Sequence, residues 1–197
     1  MKTIVSKANN LVVLQLTNLQ TMRKLLNEEL PRISPEEFKT IDKIPLVLVL
    51  DNVRSMNNIG SIFRSADAFL VNSISLCGIT ATPPHKDIHK TALGATDSVD
   101  WEYFNKTEKA INNLKGMGYT IIAVEQTENS VMLNEVSVNK GVKYALVFGH
   151  EVRGIQQDVV DMCDFAIEIP QFGTKHSLNI SVCAGILIWE FYRKIRK

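Results

Sequence analysis

Cysteine is scarce and scattered. Cys77, Cys163 and Cys183 are odd in number and far apart. Without CxxC spacing they exclude a disulfide framework or a zinc ribbon. All three lie in apolar segments and read as buried, reduced thiols. A dominant charge is missing as well: 22 Lys and Arg against 21 Asp and Glu leave a net +1. No global basic field announces nucleic acid, so a polyanion must meet a local patch or one shared between subunits. No apolar run is long enough to span a bilayer, and the first residues lack the charged-then-apolar pattern of a signal peptide. The expectation is a cytoplasmic protein with no membrane partner. GxGxxG, GxSxG and HExxH are all absent, which removes the ordinary dinucleotide fingerprint, the serine-hydrolase elbow and the zincin site. Gly149 to Gly154 has the two glycines of a phosphate-binding loop. Ile155-Gln156 stands where Lys and Ser or Thr would hold a γ-phosphate and its magnesium, so a nucleoside triphosphatase is excluded. His85 and His89 are spaced i, i+4 without a third ligand; they read as surface residues or RNA contacts, and no metal is expected.

What is present is an ordinary globular composition, 45% hydrophobic and 22% charged, in 197 residues. That is room for one core with a small appendage. Residues 1–45 form the appendage. Leu11 to Leu30 carries apolar residues at helical spacing and reads as an amphipathic helix. Ser34-Pro35-Glu36-Glu37 starts a short helix with a cap, an N1 proline and first-turn acid. Residues 46–197 form the main domain, with no internal repeat. Leu46 to Leu50 is a continuous apolar run, as for a strand buried on both faces of a parallel sheet. Asn57 or Asn58 can cap the next helix, whose apolar stripe is Ile59, Ile62, Phe63 and Ala66, with Arg64 off its centre. Further strands are expected at 73–77, 98–104, 119–124, 144–148 and 165–169. Helices are expected at 88–93, 107–114 and 154–162, and in a buried helix from 182 onward. This alternation specifies an α/β fold with a mostly parallel sheet flanked by helices.

Chemistry concentrates at three strand ends, the polar, glycine-bearing loops 51–60, 149–154 and 170–179. In open α/β sheets ligands bind beyond the carboxyl ends of strands. In the last of them Pro170 stops a strand, Gly173 permits a tight or left-handed turn, and Ser177 can cap the following helix. These residues alone are equally consistent with an ordinary strand-to-helix connection. Arg54, Arg64 and Arg153 each lie on or beside one of these loops, where a cation can meet a phosphate.

Three motifs then match a family in order. Asn58-Ile59-Gly60 through Arg64-Ser65-Ala66 resembles the NxGxxxRxA motif of the SpoU (TrmH-like) RNA 2′-O-ribose methyltransferases of the SPOUT superfamily. Gly149-His150-Glu151-Val152-Arg153-Gly154 resembles their GxExxG. Ile169-Pro170 through Ser177-Leu178-Asn179-Ile180-Ser181 resembles their IPMxG…SLNxS, with Gln171 in place of methionine. The resemblance implies a C-terminal deep trefoil knot, S-adenosylmethionine as cofactor without metal, a homodimer, and a structured RNA as substrate, tRNA somewhat ahead of rRNA. It implies that Gly149, Ile169 and Leu178, with Phe148, Gln171 and Gly154 beside them, hold the cofactor. Arg64 would be catalytic, with Asn58, Glu151, Ser177 and Asn179 shaping the site. Arg54, Arg153, His89 and Lys90 would contact RNA, and residues 1–45 could add to that grip. Arginine titrates above about 12, so Arg64 is either a base in a desolvated site or a clamp on phosphate. The alternative from another class is a catalytically inactive RNA-binding protein with the same fold.

Overall fold

The computed structural model describes residues 22–196. The chain divides into two compact units, 1–33 and 34–197. In the first, the expected helix over Leu11 to Leu30 lies outside the described residues up to 21. From 22 to 30 only a 3₁₀ turn, Asn27–Glu29, is present. Glu29 turns back instead of continuing a helix: its carboxylate accepts from Leu26 N–H (2.7 Å) and pairs with Arg23 (2.7 Å). Such local side-chain bonds compete with the helical ladder.

In the second unit, α1 (Pro35–Thr40) starts as its sequence specifies, with Ser34 Oγ accepting from Glu37 N–H at 3.1 Å. The sheet strands are β1 (Ile44–Asp51), β2 (Val71–Cys77), β3 (Asp100–Phe104), β4 (Tyr119–Val124), β5 (Val131–Met132), β6 (Lys143–Phe148) and β7 (Phe165–Glu168). Every pairing is parallel, in the order β3-β2-β1-β6-β4-β7-β5. The helices are α2 (Met56–Ala68), α3 (Lys86–Ala92), α4 (Ala95–Ser98), α5 (Thr107–Gly116), α6 (Gln157–Val160) and α7 (Ile180–Arg196). They cover both faces. Leu46, Leu48 and Leu50 of β1 join one core with Ile59 and Phe63 of α2 and Leu187 and Phe191 of α7. Val47 and Val49, pointing the other way, join a second core with Ile111 of α5 and Val159 of α6. Burial on both faces is why β1 and β6 are unbroken apolar runs.

Because all strands run the same way, the loops after β1, β4, β6 and β7 emerge at one edge. The strand order reverses direction between β1 and β6, which places a crevice there. Several local expectations are corrected. Ser55, not Asn57 or Asn58, caps α2, its Oγ accepting from Asn58 N–H at 3.3 Å. Residues 154–162 hold only the short α6, because His150 and Gly154 exchange backbone hydrogen bonds that close the preceding loop. Ser98 lies in α4 rather than at the start of β3, and β5 was not anticipated. Gly173 is not left-handed. Cys77 is buried, but Cys163 and Cys183 are only partly so. Among the described residues no helix is long and apolar enough to cross a membrane.

Candidate active site

The site is organised by Glu151, on the loop after β6. Its Oε2 accepts from Arg54 N–H at 3.0 Å; its Oε1 accepts from Ser55 N–H (2.9 Å) and Asn58 Nδ2 (3.1 Å). Arg54 and Ser55 end the loop after β1, so one carboxylate satisfies free donors just ahead of α2 and favours its positive dipole end. Partial burial pushes this carboxyl up, but the Arg54 and Ser55 amides and the Asn58 side chain outweigh it and hold it below the usual range. Asn58 then bridges onward: its Oδ1 accepts from Asn179 Nδ2 at 3.2 Å. Asn179 Oδ1 in turn accepts from Ser181 N–H at 2.9 Å and Ser181 Oγ at 2.6 Å, and Val182 N–H lies at 3.4 Å. Asn179 is therefore the cap of α7, the role expected of Ser177. One chain of hydrogen bonds joins all three motifs.

Beside this chain lies a cleft of about 510 Å³ between the loops after β4, β6 and β7. Its size is that of a small-molecule site. Val124, Ile169, Leu178 and Ile180 supply apolar wall, and Glu125, Gln126 and backbone groups supply polarity. The loop after β6 closes tightly on itself: Gly149 lies so close to Gly154 that a Cβ there would be 2.2 Å from its carbonyl carbon. The structure brings Phe148, Gly149, Glu151, Arg153, Gly154, Ile169, Gln171, Ser177, Leu178 and Asn179 together around this cleft. Arg64 does not line it. It is exposed on α2, and among the described residues it makes no hydrogen bond or ion pair. Arg54 is exposed at the end of the first loop and enters the Glu151 cluster through its amide alone. His89 and Lys90 are exposed at the end of α3, a helix tied to α2 by the Thr91 hydroxyl donating to Asn57 O at 3.0 Å. Among the described residues no group of three or more His, Cys, Asp or Glu is placed to hold a metal.

Sequence reasoning missed Glu125 and Gln126. Glu125 Oε2 accepts from Ile155 N–H at 2.9 Å, and Gln126 Nε2 donates to His176 O at 3.0 Å. The signal was available: two polar residues directly after a buried strand, at the ligand-facing edge of the sheet.

Comparison with known proteins accords with this geometry. Residues 45–189 match the model of the SpoU rRNA Methylase family. A Staphylococcus saprophyticus protein assigned to the TrmH family of tRNA/rRNA methyltransferases is 33% identical over 156 residues, 79% of this chain and 61% of its own. The 23S rRNA (guanosine-2′-O-)-methyltransferase of Nitrosomonas europaea is 33% identical over 149 residues, 76% of this chain and 56% of its own. The chain thus spans under two thirds of the length of both. Among solved structures, the A. aeolicus TrmH/SpoU tRNA modifying enzyme superposes with TM-score 0.71 at 28% identity, covering 81% of this chain and 79% of that one. An AdoMet-bound rRNA methyltransferase from Sinorhizobium meliloti gives TM-score 0.71 at 27% identity, covering 82% and 61%. With three motifs joined at one sheet edge and a family match over most of its length, the chain belongs to the SpoU rRNA Methylase family.

Proposed function

We propose that the protein is an S-adenosylmethionine-dependent RNA 2′-O-ribose methyltransferase, working as a homodimer in the cytoplasm on a structured RNA, with tRNA ahead of rRNA. The observation that carries this is the Glu151–Asn58–Asn179 chain at the mouth of the cleft, since it places all three family motifs at one point. The cleft suits the cofactor. Its volume of about 510 Å³ accommodates an adenosine with an amino-acid tail, and its apolar wall suits a planar base. Gly149, Ile169, Leu178, Phe148, Gln171 and Gly154 are assigned to hold it. When bound, S-adenosylmethionine supplies an electrophilic methyl group on a sulfonium.

The chain's own residues do the rest. Glu151, Asn58 and Asn179 fix the loop after β1 against the start of α7 and so set where α2 presents Arg64. An exposed guanidinium suits a bidentate clamp on an RNA phosphate better than a base. Clamping would hold the ribose hydroxyl in line, and its proton would leave late, to phosphate or water. Arg54, Arg153, His89 and Lys90 are assigned to RNA contact, residues 1–45 to an additional grip on RNA, and residues 46–197 to the catalytic domain. Dimer formation is supported by Val182, Ile186 and Trp189, an exposed apolar row along α7 (Trp189 is 50% exposed). The C-terminal loops are assigned the family's deep trefoil knot. No observation favours a binding-only protein.

The test is a labelled-methyl assay on separated tRNA and rRNA, with calorimetry for the cofactor. Arg64→Ala should abolish transfer yet leave cofactor affinity within about three-fold, the pattern of a group acting mainly in the transition state. Near-normal transfer by Arg64→Ala would refute the assigned role, and no transfer by wild type to either RNA would refute the activity.

A further inference from the structure

The loop that carries the third motif is held by very little. Residues 170–178 all follow Glu168, the last residue of β7, and 172–178 are exposed. Among the described residues a single hydrogen bond reaches this stretch: Gln126 Nε2 donates to His176 O at 3.0 Å. The residue before it does the same for the opposite lip. Glu125 Oε2 accepts from Ile155 N–H at 2.9 Å, and Oε1 accepts from Gln126 N–H at 3.0 Å. Glu125 N–H itself donates to Ile167 O of β7 at 3.2 Å, so the dipeptide is anchored to the sheet. Gly154 has φ +66°, and a Cβ on it would fall 2.2 Å from Glu125 Oε2. The carboxylate therefore occupies the space that the missing side chain leaves open.

We propose, resting on the reading of the cleft as the cofactor site, that Glu125 and Gln126 are its positioning pair. Glu125 fixes the 149–155 lip and Gln126 latches the 170–178 lip, so together they set ground-state affinity for the cofactor without touching the transferred methyl. Both residues line the cleft, and among the described residues no other dipeptide bonds to both lips. The latch is a neutral hydrogen bond at an exposed position, weak enough to open for ligand entry and re-form behind it.

The experiment uses Gln126→Met, which keeps length and shape but removes the donor. Two readouts are taken: the rate of tryptic cleavage after Lys175, in the latched loop, and calorimetric binding of S-adenosylhomocysteine. Cleavage should accelerate about five-fold and affinity should weaken about five-fold, the loss typical of one neutral hydrogen bond. KM for the cofactor should rise in step while kcat changes less than about two-fold, and the melting temperature should fall by no more than about 4 °C. For the other lip, Glu125→Ala and Gly154→Ala should each weaken binding. Their double variant should be no worse than the poorer single, because both disturb one contact. Unchanged cleavage and affinity in Gln126→Met would overturn the latch while leaving the cofactor site standing. Equal losses in kcat, affinity and melting temperature would overturn it too, as a purely structural effect. Wild-type protein that binds neither S-adenosylmethionine nor its demethylated product would overturn the cofactor reading, and the pair with it.

Discussion

Glu151→Gln is the sharpest probe of the site's electrostatics, because it keeps the shape and removes only the charge. The wild-type carboxylate accepts three hydrogen bonds, two on Oε1 from Ser55 N–H and Asn58 and one on Oε2 from Arg54 N–H. A glutamine can leave its oxygen facing the first two donors, but its amide nitrogen then faces the Arg54 N–H, donor against donor. One charge-assisted bond is lost, at about 1.5–3 kcal/mol, and the other two fall to neutral strength, at about 0.5–1 kcal/mol each. The carboxylate is exposed, so solvent screening roughly halves the sum, to about 1.3–2.5 kcal/mol. For a unit of this size that corresponds to a melting shift of about 3–10 °C. The carboxyl sits below its ordinary value in the folded protein. Its contribution is therefore complete above the unfolded pKa of about 4.3 and fades as pH falls through the lower folded value. Wild type minus variant, read from thermal and urea midpoints, should be largest from about pH 6 to 8 and shrink towards about pH 3. Equal midpoints at pH 7, or a difference that persists unchanged to pH 3, would refute the assignment of Glu151 as the charged hub.

Gly149→Ala should cost at least about 2 kcal/mol in urea unfolding and abolish calorimetric binding of S-adenosylhomocysteine. Its Cβ would lie 2.2 and 2.3 Å from the Gly154 carbonyl carbon and Ile155 N, backbone atoms that cannot rotate away. Trp189→Glu, in the exposed row of α7, should give a monomer near 22.1 kDa by light scattering with an unchanged circular dichroism spectrum. Asp51 is 1% exposed, and among the described residues its Oδ2 has no hydrogen-bond partner. Burial raises its carboxyl, while Thr107 (Oγ to Oδ1 2.5 Å) and Asn52 (2.8 Å) pull it back. A raised acid stabilises the fold below its unfolded pKa of about 3.9 and loses that contribution as pH rises through the folded value. Asp51→Asn should accordingly gain on wild type between pH 4 and pH 8 in urea midpoint, and a constant difference would contradict the reasoning.

The parts of the fold legible in the sequence were those written by one-dimensional patterns. Leu46 to Leu50 and Tyr144 to Phe148 are apolar because both faces are buried, and period alone shows it. Ser34-Pro35 announces α1 because capping is local chemistry. The motif residues Asn58, Glu151 and Asn179 were identifiable as polar residues at strand ends, but not their mutual bonding, which depends on how the loops fold over one another. Long-range choice also explains the errors. Asn58 looks like a cap, yet its side chain is recruited by Glu151 and Asn179, and Ser55 takes the cap instead. Ser177 looks like a cap as well, but the loop runs further and Asn179 serves. The 154–162 helix starts late, at Gln157, for a local reason: His150 and Gly154 pair their backbones and hold the chain in a closed loop up to that point. Arg64 stood out in its motif, and nothing in the motif told that it would stand apart from the cleft.

The Asn58–Asn179 bond closes a gap of 121 residues in the chain, and Glu151 reaches back 97 to Arg54. The frame beside the cleft therefore forms only once the loop after β1, the loop after β6 and the start of α7 have met, so binding competence must appear late in folding rather than along the way. Parallel pairing between such distant strands is slow, since loop-closure entropy must be overcome before any contact repays it. A ligand for the cleft has nothing to hold on the way up. It acts on the way down, retarding escape from the native state and deepening that state by about 2.7 kcal/mol at a hundred times its dissociation constant. Refolding rates should thus be indifferent to cofactor while unfolding rates fall, so that in a cell short of cofactor this protein's lifetime would report on the supply.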